Sequence, residues 1–250
     1  MTTSTAVGWI RRFHPSAQAR SRLVCFPHAG GSASFYHAVS AALNPSIEVL
    51  AVQYPGRQDR WDQPFVTTIE GLAEQATEAL LPWLDLPVSL FGHSMGAAVA
   101  FETARRLEAT GAPVRRLFTS GRRAPSIGGD SAVYKMPDQD LITEIRNLAG
   151  TNSELLLDGE LRQLLLPVIR ADYQAIETYL SPPGRRVSCP VTALVGSADH
   201  RVPLPEVQVW RDHCTGDFEI QEFPGGHFYL SEYPDAVLEL VRRRLSGGSR

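Results

Sequence analysis

Six short apolar runs alternate along this chain with segments of helical period, and that alternation leaves few architectures open. The runs are RLVCF (22–26), IEVLAVQY (47–54), PVSLF (87–91), RRLFTS (115–120), PVTALVG (190–196) and FEIQEF (218–223), each of which reads as a buried strand. Between them, segments 34–43, 68–84, 96–109 and 204–213, with another near 232–245, carry apolar residues at helical spacing. Apolar runs of this kind need cover on both faces of a sheet. The pattern therefore predicts an α/β fold with a mostly parallel central sheet flanked by helices on both sides. The chain has 250 residues, long for one domain, but a continuous α/β sheet accommodates it. One domain over 1–250, carrying an insertion, is expected.

The insertion is where the rhythm breaks. Residues 127–189 hold no β run. Leu161, Leu164, Leu165, Val168, Ile169, Ile176 and Tyr179 follow helical spacing, with Pro167 placed to kink the helix. In MPDQDLITEIRNLAG, Pro137 and Asp138 stand where a helix begins. The expectation is a helical lid over about 130–185, covering one end of the sheet; the plainer alternative is that these apolar faces only pack on the domain. No internal repeat is present, and the tail SGGSR is expected to fray.

The run PVSLF leads into GHSMGAAVAFETARRL: a buried strand, then Gly-x-Ser-x-Gly, then an alanine-rich amphipathic helix. The five-residue motif alone is too short to be diagnostic, and its context carries the argument. A sharp strand-to-helix turn strains its central residue and projects Ser94 from the sheet edge, while Gly92 and Gly96 remove Cβ atoms that would clash. The helix that follows directs free N–H groups and its positive dipole end at the same place. Ser94 is the candidate nucleophile.

A serine hydroxyl is nearly inert at neutral pH without a histidine base and a carboxylate to orient it. On such a framework the chain order is serine, then acid, then histidine. GSADHRVP places Asp199 just after a late strand, and FPGGHFYL places His227 in a glycine-bearing loop after the last one. His200 is adjacent to Asp199 and poorly placed to be oriented by it. His213 and His37 lie in helical patterns and read as surface residues. Asp172 belongs to the insertion and Asp217 precedes a strand, at the wrong edge, so both rank below Asp199. Acyl transfer also needs donors for the developing oxyanion, usually two backbone amides. One is expected from Met95, the residue after the nucleophile. The other is expected from Ala29 in FPHAGGSASFY, where Gly30 and Gly31 let the backbone approach a substrate closely. For His28 a loop-stabilising hydrogen bond is expected rather than a proton-transfer role.

Several classes are excluded or disfavoured. No histidine pair has metal-ligand spacing, no phosphate loop ends in Gly-Lys-Ser/Thr, and no Gly-x-Gly-x-x-Gly occurs, so neither metal nor cofactor is called for. A net charge of −3 without a basic–aromatic surface argues against nucleic acid. No signal-peptide core or long apolar run is seen, which argues against membrane insertion and for a cytoplasmic protein. Three cysteines suit no disulfide framework, and Cys25 and Cys189 are expected as small core residues.

The set FPHAGGSASFY, QYPGR, GHSMGA, SGRRAP, GSADHRV and GGHFYL, in this order and spacing, resembles the type II thioesterases of polyketide and nonribosomal peptide biosynthesis over nearly the whole chain. The resemblance implies an α/β-hydrolase fold with a helical lid, and removal of aberrant or stalled acyl groups from the phosphopantetheine arm of acyl or peptidyl carrier proteins. It implies Ser94 as nucleophile, His227 as base, Asp199 as its partner, and Met95 and Ala29 as oxyanion donors, the residues reached above from the pattern alone. The partner implied is an acidic carrier protein, which the pairs Arg122–Arg123 and Arg185–Arg186 are placed to guide, unless they only support the loop behind the catalytic edge. A monomer is expected. The other readings are a medium-chain fatty-acyl thioesterase, a general carboxylesterase, and, different in kind, a non-catalytic scaffold that binds carrier proteins. A chain-terminating cyclase is disfavoured because the sequence opens on its own methionine without a linker.

Overall fold

A computed structural model describes residues 8–129, 131–147 and 159–246. Seven strands form one sheet in the order β1-β3-β2-β4-β5-β6-β7. They are β1 (Ile10–Arg11), β2 (Ser21–Phe26), β3 (Ile47–Val52), β4 (Val88–His93), β5 (Val114–Ser120), β6 (Val191–Gly196) and β7 (Phe218–Phe223). From β2 to β7 every pairing is parallel, and only β1 runs antiparallel, against β3. The six expected strands are thus present to within a few residues at their ends. The two-residue β1 was not expected, being too short to show a period.

Side chains alternate along each central strand between two cores, as the pleat requires. Val24, Phe26, Leu50, Val52 and Leu90 face one core; Leu23, Cys25, Val49, Ala51 and Phe91 face the other. The second core is closed by α1 (His37–Leu43) and by α8 (Pro234–Ser246), whose Val237, Leu240 and Val241 are buried. The first is closed by α2 (Ile69–Leu80) and α3 (Met95–Ala109). Thr68 caps α2 by accepting the Gly71 N–H at 3.2 Å. On α3, Ala97, Ala98, Ala100 and Ala104 are buried, and their small side chains let the helix lie close on the sheet. Phe101 of the same helix is fully buried and meets the Trp210 ring edge-on, centroids 5.4 Å apart.

The helical insertion lies between β5 and β6, with α4 (Asp138–Asn147) and α5 (Gly159–Glu177). It has its own small core of Val133, Leu141, Ile142, Leu166, Ile169 and Tyr173. It is also fastened to the body: Ala175, Ile176 and Tyr179 belong to the main core, and the Tyr179 hydroxyl donates to the buried Glu102 carboxylate at 2.9 Å. The expected apolar stripe is therefore partly ordinary packing. Leu161 and Leu164 depart from it, being 39% and 66% exposed, while Leu166 is buried in their place. Pro167 lies inside α5 without ending it, with Leu166, Val168 and Ile169 all buried around it. The segments read as 34–43 and 204–213 are each part 3-10 and part α-helix, and 232–245 divides into α7 (Tyr229–Glu232) and α8, with α6 (Leu204–Gln208) preceding β7. Most of the SGGSR tail lies outside the described residues.

Phe101→Ala is expected to lower the unfolding free energy by about 3–5 kcal/mol, as a cavity forms between α3 and Trp210. Urea melts read it as a lower midpoint at unchanged slope.

Candidate active site

Parallel strands deliver their carboxyl ends to one edge of the sheet, and the loops after β2, β4, β6 and β7 all emerge there. After β4 the chain turns directly into α3. At the turn Ser94 has φ 54° and ψ −118°, outside the ordinary regions for a side chain with a Cβ. The two flanking glycines make this possible. A Cβ on Gly92 would run into the Gly96 carbonyl, and one on Gly96 into the carbonyl of Phe26 at the end of β2. The Ser94 N–H is held by the Ser120 carbonyl of β5 at 2.7 Å, and its side chain is not spent on capping α3. The hydroxyl is left for chemistry.

Asp199 sits in the turn after β6. One carboxylate oxygen accepts the Arg201 N–H at 3.0 Å, and the other meets His227 Nδ1 at 2.7 Å. Both side chains are buried, 1% and 8% exposed. A carboxylate only accepts, so Nδ1 carries the hydrogen and Nε2 the lone pair. Ser94, His227 and Ala29 together line a chamber of about 540 Å³ whose far wall includes Val133, Met136, Tyr173 and Ile176 of the insertion. Around Ala29, the Gly30 N–H donates to Asp172 and the Gly31 N–H to the His28 carbonyl, while the Ala29 N–H has no acceptor among the described residues. Met95 opens α3, where a first-turn N–H has no intrahelical partner. All five residues singled out from the sequence therefore converge on one sheet edge.

The rivals separate by position. His200 is exposed at the chamber's rim, His37 is exposed against Phe13 and His14, and Asp217 is exposed at the amino end of β7, away from the site. Two expectations need correction. His213 is buried, bonded to Ser126 Oγ at 2.7 Å and to the Arg185 carbonyl at 2.9 Å, because its 3-10 segment turns it inward. The His28 side chain makes no loop hydrogen bond among the described residues, only its carbonyl accepting the Gly31 N–H: its Nδ1 is buried without a partner, and its ring packs edge-on against Phe35 and Phe228, both centroids 4.9 Å away.

The sequence reading passed over His93, inside GHSMGA. It is fully buried; its Nδ1 bonds Ser120 Oγ at 2.9 Å, which in turn bonds the Tyr229 hydroxyl at 2.6 Å. This chain locks β4 and β5 to α7, the segment directly after His227. Burial, followed by the neighbouring His227 and then Arg57, pushes the His28 pKa down to about 3. Burial likewise holds His93 well below the usual histidine value, with His227 and His28 adding to the effect. Two neutral imidazoles thus lie near His227, His93 in ring contact with it, and neither places a positive charge beside it.

The arginine pairs are largely committed inside the molecule. Arg122 is at the chamber wall, its guanidinium pushed down to about 10 chiefly by burial. Arg123 pairs with Glu206 at 3.4 Å, Arg185 with Glu102 at 3.4 Å, and Arg186 donates to the Asp212 carbonyl at 2.9 Å. Cys25, Cys189 and Cys214 are free and buried. Among the described residues no cluster of His, Cys, Asp and Glu could hold a metal ion, and no helix is long and apolar enough to cross a membrane.

Residues 21–245 match the thioesterase domain family. The chain is 50% identical over 233 residues to a probable cadicidin biosynthesis thioesterase of Streptomyces griseus, a match spanning 93% of this chain and 64% of that protein. It is also 50% identical over 226 residues to thioesterase PikA5 of Streptomyces venezuelae, covering 90% of this chain and 80% of the relative. Among solved structures it superposes on the type II thioesterase BorB of the borrelidin biosynthetic cluster with a TM-score of 0.89 at 45% identity, covering 98% of this chain and all of the other.

The two buried imidazoles also set an acid limit on the fold. Below about pH 6.5 the unfolded chain takes up protons that the folded His28 and His93 refuse, so stability is full above that pH and falls beneath it. For His28 the loss continues to about pH 3, with a limiting slope of about 1.4 kcal/mol per pH unit for each histidine. His28→Phe keeps the ring packing and loses the titration. Its urea midpoint is expected to fall less steeply than wild type between pH 6.5 and 4, and equal slopes would remove His28 from the account.

Proposed function

The chain belongs to the thioesterase family of α/β-hydrolases, with the type II thioesterases of polyketide and nonribosomal peptide synthesis, and from that premise we propose how its site works and on what. Type II thioesterases act on intermediates bound to the carrier proteins of synthases. The substrate of this chain is an acyl group on the phosphopantetheine thiol of such a carrier, and the reaction is removal of stalled or aberrant acyl units. Ser94 is the nucleophile, His227 the general base and acid, and Asp199 the group that orients it. The observation that carries the reading is the 2.7 Å bond from His227 Nδ1 to Asp199 beside a serine held at φ 54° in the same chamber.

In this mechanism His227 Nε2 takes the Ser94 proton as Oγ attacks the thioester carbonyl. The negative charge develops on the carbonyl oxygen and is met by the N–H groups of Ala29 and Met95. Asp199 stabilises the imidazolium that forms without taking its proton. The C–S bond then breaks; the sulfur leaves as the pantetheine thiol with the proton from His227, and the acyl group remains as an ester on Ser94. A water deprotonated by His227 attacks that ester, and collapse of the second tetrahedral intermediate returns the proton to Ser94 and frees the carboxylic acid. The insertion acts as the lid of the chamber, its apolar wall receiving the acyl chain.

Intact mass of an acylated carrier protein tests the reading directly. Wild type should remove the acyl mass and leave the phosphopantetheine in place, whereas Ser94→Ala should be slower by about 10⁴-fold or more. Activity on simple esters with none on the acyl carrier would assign a general esterase instead. Unchanged hydrolysis by the alanine variant would displace Ser94 from its role.

A further inference from the structure

Arg57 and Asp172 are 115 residues apart, yet Arg57 Nη2 donates to Asp172 Oδ1 at 2.8 Å with both side chains almost wholly buried. A buried ion pair of this kind is seldom more stabilising than apolar side chains of the same size, so stability is a poor reason for it. What else the pair touches is more informative. The second carboxylate oxygen of Asp172 accepts the Gly30 N–H at 2.8 Å, and Arg57 Nη1 donates to the Gly31 carbonyl at 3.2 Å. The pair grips both ends of the Gly30–Gly31 unit, directly beside Ala29.

The local backbone shows why the grip matters. The Gly31 N–H donates to the His28 carbonyl at 2.9 Å, so residues 28–31 form a tight turn with Ala29 and Gly30 at its centre. Gly30 has φ 73°, as the third residue of a type II turn does. Type I and type II turns differ by a flip of the central peptide, here the one joining Ala29 to Gly30. The hydrogen of that peptide is the one Asp172 accepts. The carboxylate therefore selects one orientation of the peptide next to the amide that receives the oxyanion. Asp172 lies on α5, and Ile169, one turn earlier on the same face, bears on the same residue: a Cβ on Gly30 would stand 2.8 Å from Ile169 Cγ1. Arg170 and Glu177 of α5 bind the backbone of residues 133–136, fastening the rest of the insertion to this helix.

We infer that Asp172 is a positioning residue which, with Arg57, makes the oxyanion turn depend on the seating of the insertion helix α5. The inference rests on the acyl-transfer mechanism above and adds to it that the hole is formed only while α5 is in place. Asp172 reaches the reacting atoms through Gly30 and Ala29 and does not contact them.

Two double variants isolate the effect. Both remove the buried charges, as Arg57→Met with Asp172→Asn and as Arg57→Met with Asp172→Ala, and they differ in whether an acceptor still faces Gly30. On a small acyl-pantetheine thioester the asparagine form is expected to keep a kcat at least about tenfold above the alanine form, with KM in the two within about twofold. Affinity for a trifluoromethyl ketone, which presents an oxyanion, should fall in step with kcat, while affinity for an inert thioether analogue should not change. Equal kcat in the two doubles, or kcat that simply follows Tm, overturns the inference. If the alanine double does not fold, Asp172→Glu serves: it keeps the charge and shifts the acceptor by one methylene, so an unchanged kcat counts against positioning and a lower kcat at constant KM supports it. A wild type inactive on the thioester would instead defeat the functional reading, and that arm is measured first.

Discussion

The closeness of α3 to the carbonyl end of β2 governs where the rest of the site can stand. Gly96 lies so near the Phe26 carbonyl that no side chain fits between them, and Gly92 lies equally near Gly96. The helix can start at Met95 only because both positions lack a Cβ, and the chain then crosses from strand to helix in one residue. That residue is Ser94, and its positive φ follows from the crossing. The same contact brings the loop after β2, with Ala29 and Gly30, to the first turn of α3. Two segments far apart in sequence thereby present amides to the same small volume. The proposed nucleophile and oxyanion donors are placed by one packing constraint, and the cost of the strained serine is met by the tight burial of α3 behind it.

Around this framework the polar groups divide by their surroundings. His227 has a carboxylate on one nitrogen and the chamber on the other, whereas His28 and His93 are enclosed and held neutral by burial. The His93 ring lies between the other two, its centroid 6.0 Å from that of His28 and 5.1 Å from that of His227, and of the three only His227 has the surroundings that the proposed proton cycling needs. The chain from His93 through Ser120 to Tyr229 keeps the segment after His227 fixed relative to β4, so the proposed base does not depend on its own loop for position.

The legible part of this architecture was the part with period or order. Six strands, the strand-turn-helix at Ser94, and the serine–acid–histidine order could be read because each is a local pattern or an order imposed by parallel strands. What could not be read depends on pairings across the chain. Neither PGR nor RADY signals that Arg57 and Asp172 would meet, and Asp172 was set aside because it lay in the insertion. His213 looked like a surface residue because helical period says which residues share a face but not which face turns inward. The stripe on α5 was misjudged at Leu161 and Leu164 for a related reason: that helix serves two cores and a chamber wall, so a single apolar face does not describe it.

The insertion shows what this division of labour does to motion. Its end near Tyr179 is joined to the main core and to the buried Glu102, while Ile169 and Asp172 bear on Gly30 in the turn of residues 28–31. An element anchored at one end and bearing on the 28–31 turn further along cannot swing clear of the chamber without altering that turn. A lid joined to the site only through apolar contacts would open and close without affecting the chemistry beneath it. Here the contact is a charge-assisted hydrogen bond with one defined geometry, so under the proposed mechanism opening the chamber wide and stabilising an oxyanion become competing states of the same residues.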